Sequence, residues 1–287
     1  MTTSMLTIER KKLMKQNIFW IALSALAMII ILIYGVIFAV QYLPVPDMPP
    51  EAKAQLVSFL TWPEALINAL GFASGNGLGG LLTILLASII VTQEYTHKTY
   101  QLWLGKGISR IKVITSKFIV LLMAVFWVVL IPVVIGGLIS AGINLLLYGT
   151  IPFSSVNFVQ LGLSLLRTIL TLLPYITMAI FLAVISRSTI ITLGLGLAYA
   201  LLIEGVFSQL ISLIGGLPAK IIQFSPNMLA ASITQLNTAI ARGPLPTKPE
   251  LELALVDPAT ASICILGYSV LFLSLAVIIF RRQDIAF

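Results

Sequence analysis

Six stretches of this 287-residue chain run apolar for about twenty residues or more, at roughly 18–40, 68–91, 118–147, 158–185, 189–214 and 260–280. Each is long enough to cross about 30 Å of hydrocarbon as a helix. The runs are continuous and do not alternate with period two, which excludes a β-barrel. Hydrophobic residues make up 59% of the chain and charged residues 9%; ordinary soluble domains carry roughly 45–50% and 25%. So few charges cannot clothe a soluble surface, so a soluble enzyme and a disordered protein are both excluded. The single cysteine, Cys264, excludes a disulfide scaffold. The sequence therefore predicts an all-α integral membrane protein of six transmembrane helices, forming one domain over residues 1–287. The third and fourth runs exceed the minimum and contain Pro132 and Pro174, which predicts tilt or a kink there.

The net charge of +7 would point to nucleic acid in a soluble chain. In a membrane protein the excess of Lys and Arg marks the cytoplasmic loops. Arg10, Lys11, Lys12 and Lys15 precede the first run, and Lys98, Lys106, Arg110, Lys112 and Lys117 follow the second. Arg187 falls between runs four and five, and Arg281 and Arg282 follow the sixth. With six alternating spans, twelve of the seventeen basic residues share one side. That side is the cytoplasm, and both termini lie there. Segments 41–67 and 215–259 face outward, with the acids Asp47, Glu51, Glu64, Glu250, Glu252 and Asp257. The setting is a plasma membrane of prokaryotic type. The first run is too long for a signal-peptide core and lacks a small-residue cleavage site after it. Residues 3–17 instead form a short amphipathic helix on the inner surface, with Met5, Leu6, Ile8 and Leu13 toward lipid.

Two polar segments carry further pattern. In 92–117, Tyr100, Trp103 and Leu104 stand at i, i+3, i+4 on one helix face, Gly105 and Gly107 interrupt it, and Ser109 is placed to cap a second helix. The segment reads as a protruding helix–turn–helix; its bland alternative is a solvated basic loop. In 215–259, Ser225-Pro226 is a helix start. Leu229, Ile233, Leu236 and Ile240 then form a stripe, Gly243 ends the helix, and 243–258 is an extended connection.

The inventory of chemistry is short. GNGLGG at 75–80 matches a dinucleotide fingerprint, but no strand precedes it. Gly71, Gly75 and Gly79 read better as a small-residue face for helix packing. Glu94-x-x-His97 has metal-motif spacing, yet His97 is the only histidine. No phosphate-binding loop, zinc-protease motif or nucleophile–base set occurs, so the chain is read as neither an enzyme nor a holder of a metal or cofactor. Arg167 and Glu204 are the only charges well inside the runs, about 14 and 15 Å from the outer ends of their helices by helical rise. A hairpin at 186–188 lets them meet. Pairing is expected, either as a brace between helices or as a lining of a translocation route.

Around 92–117 the sequence resembles the membrane subunits of ABC-2 type exporters. The resembling residues are Glu94 at the end of span two, then Thr99, Ser109-Arg110 and Lys117 entering span three. Phe224-Ser225-Pro226 and Phe280-Arg281-Arg282-Gln283-Asp284 are also similar to that family, as is the six-span plan with a basic start and a large outer segment before span six. His97-Lys98 departs from the pattern, where relatives often carry a glycine. The resemblance implies a permease subunit that dimerises with a second copy or homologue and is driven by separate cytoplasmic ATPase subunits. ATP and Mg would be bound there and not by this chain. It also implies ATPase docking through Glu94, Thr99, Tyr100, Trp103, Leu104, Ser109 and Arg110. The remaining partner is membrane lipid, with no nucleic acid. The alternatives are a secondary transporter using Arg167 and Glu204, or a membrane anchor for a cytoplasmic ATPase complex. Nothing in the residues names a substrate.

Overall fold

The computed structural model describes residues 2–42, 49–97, 99–208, 210–211, 216–242 and 255–283. The helix terminator expected at Gly243, the outward position Lys248 and the final Asp284 lie outside them. All regular structure among the described residues is helical apart from one isolated bridge, Val156–Ala241. The helices are α1 (Thr2–Lys15), α2 (Asn17–Tyr42), α3 (Pro50–Leu60), α4 (Glu64–Ala73), α5 (Leu78–Thr96) and α6 (Thr99–Gly105). They continue with α7 (Arg110–Tyr148), α8 (Phe158–Ser186), α9 (Thr189–Ala198) running into a π-helical stretch (Tyr199–Phe207), α10 (Gly216–Ile222), α11 (Pro226–Thr234) and α12 (Pro258–Arg282). A 3₁₀ segment, Gln235–Ile240, extends α11.

Six of these units are long and apolar enough to cross a membrane: Asn17–Val40, Glu64–Thr96, Arg110–Tyr148, Phe158–Ser186, Thr189–Phe207 and Pro258–Arg282. Large apolar side chains such as Leu146, Ile190 and Leu138 stand exposed on them, a surface suited to hydrocarbon and not to water. α8 is the central post, packed by α12 and α5, while α7 carries α2 and α4. Local chemistry sets several ends. Asp257 accepts from the N–H groups of Ala259 and Thr260, Pro258 opens α12, and Arg281 and Arg282 sit in its last turn. Ser225 accepts from the Met228 N–H ahead of Pro226, as the sequence predicted.

Arg10, Lys11, Lys15, Lys106, Lys112, Arg281 and Arg282 lie on α1, on the start of α7 and the turn before it, and at the end of α12. All of these elements meet at one end of the bundle, called here the basic end. The opposite end, the far end, holds α3, α11 and the 3₁₀ segment.

Four expectations change. The second span is not one helix: it breaks at 74–77. There the Ser74 hydroxyl and N–H both turn back to the Gly71 carbonyl, and the N–H groups of Gly77 and Gly80 are donated to Ser74 O. Gly71, Gly75 and Gly79 therefore do not share a helix face. Gly75 abuts the Thr171 backbone and the Tyr175 ring, a Cβ at Gly79 would strike the Ala73 carbonyl, and Gly71 has open space. As the sequence predicts, the helix that opens behind Ser109 runs on into the third span, α7 beginning at Arg110. Met5 and Leu13 of α1 face the core and not lipid, because α1 packs on α7. Leu236 turns outward while Leu229, Ile233 and Ile240 are buried, since the 3₁₀ segment advances about 3.0 residues per turn against 3.6 and shifts the stripe. Pro132 and Pro174 lie inside helices that continue through them.

The break in span two yields a comparison of two alanine variants. Gly79→Ala should destabilise by ~1–3 kcal/mol, as overpacking does. Gly71→Ala should leave the thermal midpoint unchanged or raised, since a helical alanine is favoured over glycine by about 1 kcal/mol. Thermal unfolding of the detergent-solubilised protein followed by size exclusion reads both, and equal midpoints would contradict the geometry.

Candidate functional site

At the basic end, three helices converge on one lysine. Lys117, two turns into α7, places its Nζ 2.6 Å from Glu9 Oε2 of α1 and 2.8 Å from Glu94 Oε1 of α5. Lys12 closes the set, 2.9 Å from Glu94 Oε1 and 4.0 Å from Glu9 Oε1. Glu9 and Lys12 share a face of α1 at i, i+3. The Lys117 and Glu9 side chains are each 2% exposed. Two ammonium groups balance two carboxylates, which is the condition on which such charges can be buried. Lys12 also lies 5.8 Å from the centre of the Trp103 ring, within cation–π range.

The same end is tied at its rim. Arg110 Nη1 donates to the carbonyls of Phe280, Arg281 and Gln283 at 2.9, 2.8 and 2.6 Å, so a cation meets the carbonyl end of α12. Gln283 Nε2 donates to Val184 O of α8 at 2.6 Å, and the Tyr95 hydroxyl to Gln283 Oε1 at 3.2 Å. Tyr100 is 1% exposed, packed edge-on against Tyr95 and Phe280, with its hydroxyl donating to Val91 O. Burial pushes its phenol well above the ordinary value, so Tyr100 stays a neutral donor.

These contacts engage part of the expected docking set within the chain itself. Glu94, Tyr100 and Arg110 make their polar contacts inside the chain. Thr99 is half-buried, its hydroxyl near the Glu94 carbonyl. The apolar stripe Tyr100–Trp103–Leu104 is the face that α6 turns toward its own protein, as an amphipathic helix does. What α6 presents outward is Leu102, 64% exposed, and next to it Lys106. Ser109 holds the N-cap position of α7 but makes no side-chain cap bond. Gly107, at φ 75°, makes the turn, a conformation that favours glycine.

At the far end, Arg167 and Glu204 do not pair. Arg167 donates to Leu236 O at 3.2 Å and to Gln160 Oε1 at 3.5 Å. Glu204, on the π-helical stretch, accepts from the Tyr175 hydroxyl at 2.7 Å and the Asn227 N–H at 3.2 Å. Tyr175 lies eight residues beyond Arg167 on α8, about 12 Å by helical rise, so the two charges sit at different depths. Glu204 instead faces a cavity of about 800 Å³. Its walls come from the break in span two, α8, the π-helical stretch, α11 and the 3₁₀ segment. Irregular backbone inside a membrane-length helix recurs where helices line a cavity.

A family model described as "Protein of unknown function (DUF2705)" matches residues 77–286. The chain belongs to the DUF2705 family. The DUF2705 match takes in Glu94, Lys117, Tyr175, Glu204 and Asn237, and leaves Glu9 and Lys12 of α1 outside it. No curated protein matches the chain.

Sequence reasoning did not bring Glu9 or Lys12 to Lys117, although one acid spaced i, i+3 from a base within a basic helix was a local sign. Tyr175, Asn227 and Asn237 carry no local pattern, because only tertiary packing brings them together. The buried cluster predicts a non-additive stability series. Lys117→Met alone should cost ~3–5 kcal/mol, since it strands two carboxylates. Adding Glu9→Leu and Glu94→Leu should recover most of the loss. Thermal midpoints of the single and triple variants test this, and additive losses would show that the charges are not coupled.

Proposed function

We propose that this chain is the permease subunit of an ABC-2 type exporter, working with separate cytoplasmic ATPase subunits and a second copy or homologue. The observation that carries the reading is mechanical. α7 runs unbroken from the α6 turn through 39 residues. At its start it is fastened to α12 by Arg110, and to α1 and α5 by Lys117. A push on α6 therefore reaches spans two, three and six together. The likeness to the ABC-2 pattern at Glu94, Thr99, Ser109, Arg110 and Lys117 supports the same reading, and the internal contacts of Glu94, Arg110 and Lys117 give a physical task to those three. They hold the docking element rigid, while Leu102 and Lys106 meet the partner.

In this reading the basic end is cytoplasmic, by the excess of Lys and Arg there. α1 lies at the inner interface and α11 with its 3₁₀ extension lies outside, within one domain over 1–287. Only 17% of the apolar window of span five is buried, which leaves a face for the second copy. ATP and Mg belong to the partner. A secondary transporter is the second reading, favoured by the interrupted span two beside Glu204.

Two measurements test this. In a Cys264→Ala background, an impermeant thiol reagent added outside should label a cysteine at 220 and spare one at 106; the reverse pattern would invert the topology. Leu102→Asp with Lys106→Glu should reduce ATPase copurification and coupled hydrolysis by about tenfold or more, as loss of an interface anchor does, with membrane insertion intact. Unchanged coupling, or substrate transport by the chain alone under an ion gradient, would favour the second reading.

A further inference from the structure

The far-end cavity has the composition of a ligand site. Glu204 is 2% exposed, and its carboxylate meets only neutral groups: the Tyr175 hydroxyl, the Asn227 N–H and, as a further neighbour, the Tyr199 phenol. Among the described residues no Lys, Arg or His forms an ion pair with it, and Arg167 is engaged elsewhere. A buried carboxylate without a countercharge is costly.

A second, independent observation lies in the lining of the same cavity. Asn237 is 1% exposed and lines the same space, and neither its Oδ1 nor its Nδ2 has a hydrogen-bond partner among the described residues. Buried amides are nearly always satisfied, so an orphan of this kind calls for an explanation, and a ligand in the cavity that Asn237 lines supplies one. The remaining wall mixes apolar and aromatic side chains, Phe59, Phe72, Leu78 and Leu201, with glycines and polar groups such as Asn68 and Gln235.

We infer that this cavity binds an organic cation, an ammonium group carried on an apolar body, with Glu204 as its counterion and Asn237 as a hydrogen-bonding partner. The volume of about 800 Å³ falls in the range of about 300–1,000 Å³ for small-molecule sites and far exceeds that of a bare metal ion. The ammonium supplies the charge that the protein withholds from Glu204. The aromatic wall accommodates the apolar body and favours a cation near its faces. As a statement about exported substrate, the inference rests on the transporter reading; as a statement about binding it does not.

The experiment therefore uses the full-length chain alone in lipid nanodiscs, without ATPase. Binding of phenethylammonium is compared by calorimetry with that of its neutral analogue, phenethyl alcohol. The cation should bind about tenfold or more tighter. Glu204→Gln should abolish that preference, and Asn237→Ala, which removes no internal hydrogen bond, should weaken cation binding by about threefold to tenfold. Equal affinity for the two probes in the native chain would overturn the inference. So would an unaltered preference in Glu204→Gln, or unaltered cation affinity in Asn237→Ala if the glutamine variant does not fold. ATPase copurification is scored separately: its loss with cation binding intact would sink the exporter reading and leave the site standing.

Discussion

The Lys117 ammonium sits where α1, α5 and α7 meet, and the arrangement of the basic end depends on it. Remove its charge, and Glu9 and Glu94 face each other with only the half-exposed Lys12 between them. A buried ion cluster is a poor source of net stability, since desolvation offsets most of the attraction. Its value lies in direction: one lysine can satisfy two carboxylates only if three helices hold one relative placement. Once α7 is fixed, Arg110 at its start reaches the last carbonyls of α12, and Gln283 reaches α8. The N-terminal helix is thereby a structural member of the bundle.

The coarse architecture was legible because it follows from one-dimensional signals. Twenty apolar residues in a row define a span whatever surrounds them, and Ser225-Pro226 defines a helix start by local hydrogen bonding. What failed did so where two elements compete for one residue. Met5 and Leu13 read as lipid-facing because an apolar stripe looks alike whether it covers lipid or protein. The stripe of Tyr100, Trp103 and Leu104 misled in the same way: it predicts burial, and sequence alone does not say against what. Gly71, Gly75 and Gly79 keep helical spacing, yet the Ser74 hydroxyl competes for the Gly71 carbonyl and the helix stops there. The Arg167–Glu204 pairing assumed regular helices of equal depth, and a π-helical stretch together with twelve or so ångströms of offset along α8 removed the premise.

The two ends handle buried polarity in opposite ways. At the basic end, each charge of the cluster has an opposite charge, and the surrounding aromatic rings Tyr95, Tyr100 and Phe280 close the packing. At the far end, a carboxylate is held by neutral donors and the Asn237 amide has no hydrogen-bond partner among the described residues. Low-dielectric surroundings magnify both situations, strengthening satisfied bonds and penalising unsatisfied ones. The first end is built to keep a shape. The second is built to change its energy when something enters.

α8 joins them. It carries Tyr175, which holds Glu204, and nine residues on it carries Val184, whose carbonyl is held by Gln283. Contiguity alone does not couple two sites; some element with two arrangements must be biased from both. The interruption in span two has the placement for that part. Gly75 N–H is donated to the Thr171 hydroxyl of α8 at 3.0 Å, so the break rests on the same post, while α5 below it ends in Glu94 within the ion cluster. An occupant of the cavity presses on α4, the break and α8 at once, and a push on α6 reaches α5 from the other side. Span two, alone among the six, is both interrupted at the cavity and clamped at the basic end, so a change in its bend is the motion through which the two ends would exchange work.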